Sequence, residues 1–419
     1  MKHATGISQK ILMTAVRGLT AWENEEMTLD AFLENLREEN APEHGSVSDL
    51  LFEYFRHKGF IDELIRKHAK HERIRQDMRL IVACATTQIF FQTGIAPQSA
   101  VNIAVDCGKL ERGPGGGGFV NALLRTFMRD KSINKETIPA ELPKIIQERW
   151  SRTFGKEECQ RLQSLYESNP QLTFRLRKKD NAEKLQAQGA VPIEHLDFFR
   201  DNVFYETATP AWLFSGPWLR DSTVYIQDPA TALAFSLLDF VPNGCLLDAC
   251  AAPGGKTIML ADLTVSEKIR LTVCDRSSKR MFQLNRNLQR AGVHCRNLVG
   301  DVSKPLFSDE SFDFVLADVP CTNTGVFRRR PDSLWRFTEK RLDETVKLQK
   351  EILNTLANTI KPGGVLLYST CSIEDAEDGA QVRSFLETHP DFEIKNERLL
   401  LPSSKHDGAY GAYLKKKLC

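Results

Sequence analysis

Two cysteines stand where a chain of this kind could do covalent chemistry. Cys321 closes Asp318-Val319-Pro320-Cys321, and Cys371 sits in Ser369-Thr370-Cys371-Ser372. Each follows a strand-like apolar run, Phe312 to Ala317 and Val365 to Tyr368. Such runs predict parallel strands, and the thiols then fall at the carboxyl edge of the sheet, where open α/β folds hold ligands. A third stretch, Asp248-Ala249-Cys250-Ala251-Ala252-Pro253-Gly254-Gly255-Lys256-Thr257, leaves another apolar run and leads into a helix-prone segment. A nucleotide-type cofactor and two thiols at one sheet edge point to covalent chemistry on an electrophilic ring.

The Asp248 to Thr257 loop has the parts that an adenosyl cofactor needs. Its glycines let backbone approach closely, and the following helix offers free N–H groups. It lacks both the GxxxxGK[ST] and the G-x-G-x-x-G patterns. Asp275 ends the next predicted strand, Leu271 to Asp275, where a carboxylate can accept ribose hydroxyls. Asp301 ends a third, Leu298 to Asp301, within reach of an adenine amino group or a neighbouring amide. A single such carboxylate is more often a cap or turn residue; three at successive strand ends, beside a glycine loop, read as a binding edge.

Around these motifs, strands alternate with helices from Val224 onward: a helix over Lys256 to Leu263, another over Lys279 to Arg290, and a long one over Leu342 to Ile360. That alternation predicts a doubly wound parallel sheet. The first 130 or so residues carry apolar side chains at helical spacing, in Ile7 to Leu19, Leu50 to Phe55, Ile61 to Ile65 and Leu80 to Phe91. Gly113 to Gly118 reads as a flexible connector, because no strand precedes it and no Gly-Lys-Ser/Thr follows. Residues 131 to 165 are charged and helix-prone. Between them and Val224, Leu172 to Leu176 and Val203 to Tyr205 read as strands of a small α+β segment.

At 419 residues the chain exceeds one ordinary domain. Its 56 Lys and Arg offset 55 Asp and Glu, so no global basic field advertises a polyanion. Binding to one must then use local patches, with Arg175 to Lys179, Arg328 to Arg330 and Lys415 to Lys417 as candidates. No run of 18 apolar residues predicts a membrane span. The ten cysteines form no CxxC pair and no His-completed zinc set, so no metal is expected. Without an export-like N-terminus, reduced thiols and a cytoplasmic location are expected. Cys84, Cys107, Cys274 and Cys295 read as small buried hydrophobes.

Ala251-Ala252-Pro253-Gly254-Gly255-Lys256-Thr257, Asp318-Val319-Pro320-Cys321 with Thr324-Gly325, and Tyr368-Ser369-Thr370-Cys371-Ser372 together resemble the RsmB/Sun family of RNA 5-methylcytosine methyltransferases. The resemblance runs from about Gln227 to the C-terminus. The N-terminal part, including Phe119-Val120-Asn121-Ala122-Leu123-Leu124-Arg125, is similar to a NusB-like RNA-binding domain. The implied architecture is multidomain: an all-α NusB-like domain over 1–135, a linker and small α+β domain over 136–222, and an α/β Rossmann-like methyltransferase domain over 223–419. The resemblance further implies a monomer that acts on RNA, specifically 16S ribosomal RNA. A transfer RNA substrate, or a non-catalytic assembly factor, is the rival reading.

By that resemblance, Cys250, Ala251, Ala252, Pro253, Gly254, Gly255 and Lys256 would wrap S-adenosyl-L-methionine, Asp275 its ribose and Asp301 its adenine. Asp318 would bridge cofactor and target cytosine, Cys371 would be the nucleophile, and Cys321 would help release the product. Lys256 is one candidate source of positive field for the Cys371 thiolate. The stretch Phe327 to Asp332 is expected to contact the RNA backbone. Three departures stand out. Asn323 replaces the glycine usual in the Cys321 loop, Ser372 to Asp378 follows the usual continuation only loosely, and Asp407 to Leu414 lacks the usual aromatic-Ala-Arg-Leu ending.

Overall fold

The computed structural model describes residues 2–69, 74–130, 132, 133, 138, 141–199, 203–264 and 268–418. The chain forms two compact units: Met1–Ser168 with Arg330–Arg336, and Asn169–Arg329 with Phe337–Cys419.

The first unit is helical. Its helices are α1 (Lys2–Glu23), α2 (Leu29–Glu38), α3 (His44–Arg56), α4 (Lys58–Ala69), α5 (Gln76–Phe90), α6 (Pro97–Arg129), α7 (Lys144–Thr153) and α8 (Lys156–Glu167). Helix α5 is buried without interruption from Met78 to Ile89, and α1, α3, α4 and α6 pack around it. The charged stretch after residue 135 therefore folds into this unit, as α7 and α8.

Gly113 to Gly118 is not a flexible connector. It lies within α6, whose only non-helical residues are Arg112 and Gly113, the latter at φ 66°. There the chain kinks so sharply that a Cβ on Gly116 would collide with the carbonyl oxygen of Gly108. The glycines serve close approach between the two arms of a helical corner.

Arg330–Arg336 packs into the helical unit by buried polar contacts. Trp335 Nε1 donates to the Phe55 carbonyl (2.8 Å), and Tyr166 Oη to the Phe55 and Pro331 carbonyls (2.7 and 3.1 Å). Trp22 Nε1 donates to Asp332 Oδ2 (3.2 Å), whose carboxyl burial pushes up to about 6.

The second unit holds two sheets. The smaller is antiparallel in the order β2-β3-β1-β4, from β1 (Leu172–Leu176), β2 (Val191–Pro192), β3 (Phe204–Thr207) and β4 (Val224–Ile226). The larger has seven strands: β5 (Gly244–Asp248), β6 (Ile269–Asp275), β7 (Arg296–Val299), β8 (Phe312–Asp318), β9 (Ile360–Thr370), β10 (Phe392–Leu400) and β11 (Ala409–Lys416). They run in the order β10-β11-β9-β8-β5-β6-β7. The sheet is mixed: β5 to β9 run parallel, as the β–α alternation predicts, and β11 inserts antiparallel between β9 and β10. Helices Gly255–Leu263 and Ser278–Ala291 contribute to one core and Glu339–Thr359 with Gly379–Thr388 to another, so both faces of the sheet are covered.

In two of the expected basic patches several cations are tied to partners within the fold, while Lys178 and Lys417 stay exposed. Arg175 and Arg177 both pair with Asp262 at 2.8 Å, which ties β1 to the helix that follows the glycine loop. Lys416 Nζ donates to the Ile360 carbonyl (2.9 Å) and Lys417 Nζ to the Pro390 carbonyl (2.6 Å). Among the described residues, no helix is long and apolar enough to cross a membrane.

Candidate active site

Strand register brings the separated motifs to one edge. Asp248 pairs with Val273 and Leu316, and Asp318 with Ser369, so β5, β6, β8 and β9 end together. The loop after β5 passes through a cis Ala252–Pro253 bond to Gly254, which caps the next helix at φ 108°. Only glycine takes that conformation readily, and it offers no side chain to the first helical amides.

The loop is braced from beneath. Asp275 Oδ2 accepts from the Ala252 N–H (3.3 Å) and Oδ1 from the Ser277 N–H (3.0 Å). Arg280 pairs with Asp275 at 3.5 Å and also donates to the Ala252 carbonyl, while Asn287 Nδ2 donates to the Pro253 carbonyl (2.8 Å). Asp248 is buried with one oxygen on Thr257 Oγ1 (2.6 Å), and its Oδ1 has no partner. Burial pushes its carboxyl up to about 7, against the lowering effect of Thr257. Asp301 is exposed, and Oδ1 accepts from the Ser303 N–H and Oγ (3.0 and 2.7 Å), bonds that lower its pKa. An uncapped helix start suits a carboxylate, an orphaned buried carboxylate oxygen suits a cationic group, and glycines without side chains leave room between them, so the loop fits a cofactor that carries charges of both signs.

Lys256 lies on that helix and donates to Asp318 Oδ1 (2.8 Å) at the end of β8. Burial works to depress the ammonium, but Asp318 and, further away, Cys371 together hold its pKa above the ordinary value.

Beyond Asp318, the Cys321 and Cys371 Sγ atoms are 3.2 Å apart, both half-buried. The hydrogen bond with Cys371, with burial second, keeps the Cys321 thiol well above the usual range. Asn323, at φ 61°, places Oδ1 3.0 Å from Cys371 Sγ and donates from Nδ2 to the Cys321 carbonyl (3.1 Å).

Glu377 joins the two loops. Its carboxylate accepts from the Thr322 N–H (2.8 Å), Thr322 Oγ1, Ser372 Oγ (2.5 Å) and Gln349 Nε2 (3.2 Å). Backbone adds Gly325 N–H to the Cys371 carbonyl (3.0 Å) and Gly408 N–H to the Gly325 carbonyl (2.8 Å). A Cβ on Gly325 would stand 2.7 Å from the Gly408 oxygen and 2.8 Å from that of Cys371. Sequence reasoning passed over Glu377. The acid-rich Glu374 to Asp378 run after Cys371 was its only signal, and nothing in that run shows which of its acids reaches the Cys321 loop.

The arginine cluster after Cys321 is not a free basic face. Arg328 donates to the Ser403, Ser404 and His406 carbonyls (2.6, 3.1 and 3.2 Å), and Arg329 bridges Asp228 and Asp407. Arg330 pairs with Asp30 at 2.8 Å. Loop carbonyls and the Asp228 and Asp407 carboxylates hold Arg328 and Arg329, whereas the Arg330–Asp30 pair is half-exposed. Cys84, Cys107 and Cys274 are buried as expected; Cys295 is part-exposed, with Sγ 3.0 Å from Asn297 Oδ1.

Comparison with known proteins matches both parts of this description. Residues 235–411 fit the 16S rRNA methyltransferase RsmB/F model, and residues 9–129 fit the NusB family. The chain is 30% identical over 347 residues to the ribosomal RNA small subunit methyltransferase B of Vibrio cholerae, spanning 77% of this chain and 78% of that one. It is 31% identical over 318 residues to that of Klebsiella pneumoniae, spanning 72% of each. Among solved structures, PH0851 superposes with a TM-score of 0.80 at 23% identity, over 97% of this chain and 99% of that one. NSun6 from Pyrococcus horikoshii with SFG reaches 0.55 at 19% identity, over 65% and 98%. These two support the fold. With a NusB domain ahead of an S-adenosyl-L-methionine-dependent methyltransferase domain, the chain belongs to the 16S rRNA methyltransferase RsmB/F family.

Proposed function

We propose that this protein methylates C5 of a cytosine in 16S ribosomal RNA, in the cytoplasm, through a covalent bond between Cys371 and C6 of the base. The observation that carries the reading is the pair of thiols, 3.2 Å apart, at the ends of adjacent strands beside the Lys256–Asp318 pair. Family membership and relatives named for the small-subunit RNA favour the substrate.

Bound S-adenosyl-L-methionine supplies an electrophilic methyl group. Cys250 to Lys256 would hold it, and Asp275 and Asp301 would receive the ribose and adenine. C5 of cytosine is too weak a nucleophile to take that methyl unaided. The Cys371 thiolate adds to C6, the ring electrons move toward N3, and C5 becomes enamine-like. Asp318, backed by Lys256, hydrogen-bonds the N3–N4 edge and delivers the proton that N3 gains. Once C5 carries the methyl group, Cys321 as base takes the C5 proton; the C6–S bond breaks, restoring the C5–C6 double bond and freeing Cys371 as thiolate, and N3 returns its proton to Asp318. The cytosine must be unpaired or turned out of its stack to meet Cys371.

Labelled cofactor with unmodified 16S RNA tests the reading. Cys371→Ser should abolish transfer, and Cys321→Ala should accumulate a protein–RNA adduct stable to denaturation. Adduct with Cys371→Ala but not with Cys321→Ala would exchange the two roles. Transfer to transfer RNA alone would redirect the substrate, and transfer to no RNA would leave a binding factor.

A further inference from the structure

The Asn323 side chain touches both cysteine segments next to their sulfurs. Its Nδ2 stands 3.1 Å from the Cys321 carbonyl oxygen and its Oδ1 3.0 Å from Cys371 Sγ. The orientation of the amide follows from chemistry. A carbonyl oxygen accepts and never donates, so the group facing it must be the NH2, which leaves the amide oxygen on the thiol. An amide oxygen has no proton to give, so the hydrogen in that contact belongs to sulfur. The residue also stands in left-handed backbone, at φ 61°, and its own carbonyl accepts from the Val326 N–H (3.3 Å). Asparagine and aspartate enter that region more readily than most residues with side chains, so the position admits an amide at modest cost.

We propose that Asn323 is a positioning residue that holds the thiol hydrogen of Cys371 on its Oδ1 while no substrate is bound. This rests on the reading of Cys371 as the nucleophile. An acceptor on the thiol favours the neutral form and opposes loss of the proton. It also fixes the S–H direction, and with it the lone pairs that Cys371 turns to the site. The titratable groups around this sulfur include Cys321 at 3.2 Å, the Lys256–Asp318 pair, and the buried acids Glu377, on Ser372 Oγ, and Asp378, on Thr370 Oγ1, whose negative charges act alongside Asn323. Lys256 favours thiolate and Asn323 favours thiol. The pair of influences keeps the nucleophile protonated until substrate arrives, which protects it from wasteful alkylation and oxidation.

The test is the pH profile of Cys371 carboxamidomethylation by iodoacetamide in the full-length protein, read by peptide mass spectrometry. Trypsin separates it from Cys321. Asn323→Gly keeps the left-handed turn and removes the acceptor; its Cys371 should react about fivefold faster at pH 7.5, the worth of one ordinary hydrogen bond, with the profile moved to lower pH. Asn323→Asp keeps the shape and adds negative charge; its Cys371 should react more slowly than wild type, with the profile moved up. Opposite shifts from two substitutions at one position are not produced by general loosening of the loop. Identical profiles, or shifts in the same direction, would overturn the proposal. The readout needs neither RNA nor methyl transfer. Failure of the nucleophile reading would appear separately, as methylation surviving Cys371→Ser.

Discussion

The Sγ atoms of Cys321 and Cys371 are 3.2 Å apart, although fifty residues of chain separate them. Parallel pairing of β8 with β9, in register at Asp318 and Ser369, sets the distance coarsely. Glu377, Gly325 and Asn323 set it finely.

Glu377 is the joint between the two cysteine loops, taking four donors from Thr322, Ser372 and Gln349. Glu377→Leu leaves the Thr322 N–H and hydroxyl without their acceptor in the interior and should cost about 2–3 kcal/mol of stability in thermal or denaturant unfolding. Methyl transfer should fall further than cofactor affinity measured by calorimetry. Glu377→Gln keeps one acceptor oxygen and should be milder on both counts.

Gly325→Ala places a methyl group against the carbonyl oxygens of Gly408 and Cys371. Backbone must move, and the Cys371 loop with it. Transfer should fall on the order of tenfold or more, because misplaced reacting groups lose their alignment. Cofactor binding should change less than twofold, about the noise expected of a site the substitution does not touch.

Lys256→Met removes the ammonium that partners Asp318. Asp318 is about a third exposed, so water softens the loss. Cofactor affinity should fall on the order of tenfold in titration calorimetry, the worth of one charged hydrogen bond. Retained affinity would place Lys256 outside the cofactor's reach.

Asp248 gives the molecule a pH dependence of defined sign. Its carboxyl stands at about 7 in the fold, from an ordinary 3.8, because burial disfavours the charge. Between those values the folded state holds a proton that the unfolded state has lost, so this group's contribution to stability falls as pH rises through that window. Asp248→Asn keeps an acceptor for Thr257 and removes the titration. The melting temperature of Asp248→Asn relative to wild type should therefore rise between pH 5 and pH 7.5. A constant difference would show that Asp248 does not titrate in this range.

The chemistry was legible in the sequence because residue type and local order carry it. Strand-like runs leading to Asp248, Asp275, Asp318 and Ser369, with the glycine loop of 250–256, already put the motif carboxylates and the two thiols, Cys321 and Cys371, at one sheet edge, where strand register brings them together. The helical first part was legible from periodicity alone. What escaped was whatever depends on partners distant in sequence. Arg175, Arg328 and Arg329 look like a basic surface until the carboxylates and carbonyls that claim them come into contact. Gly113 to Gly118 looks like a connector until Gly108 is seen pressed against Gly116. Local sequence thus determined which groups could react. Only the tertiary structure, by bringing Glu377 and Asn323 onto loops fifty residues apart, decided how the thiols are held, since buried polar atoms take whichever partners the packing delivers.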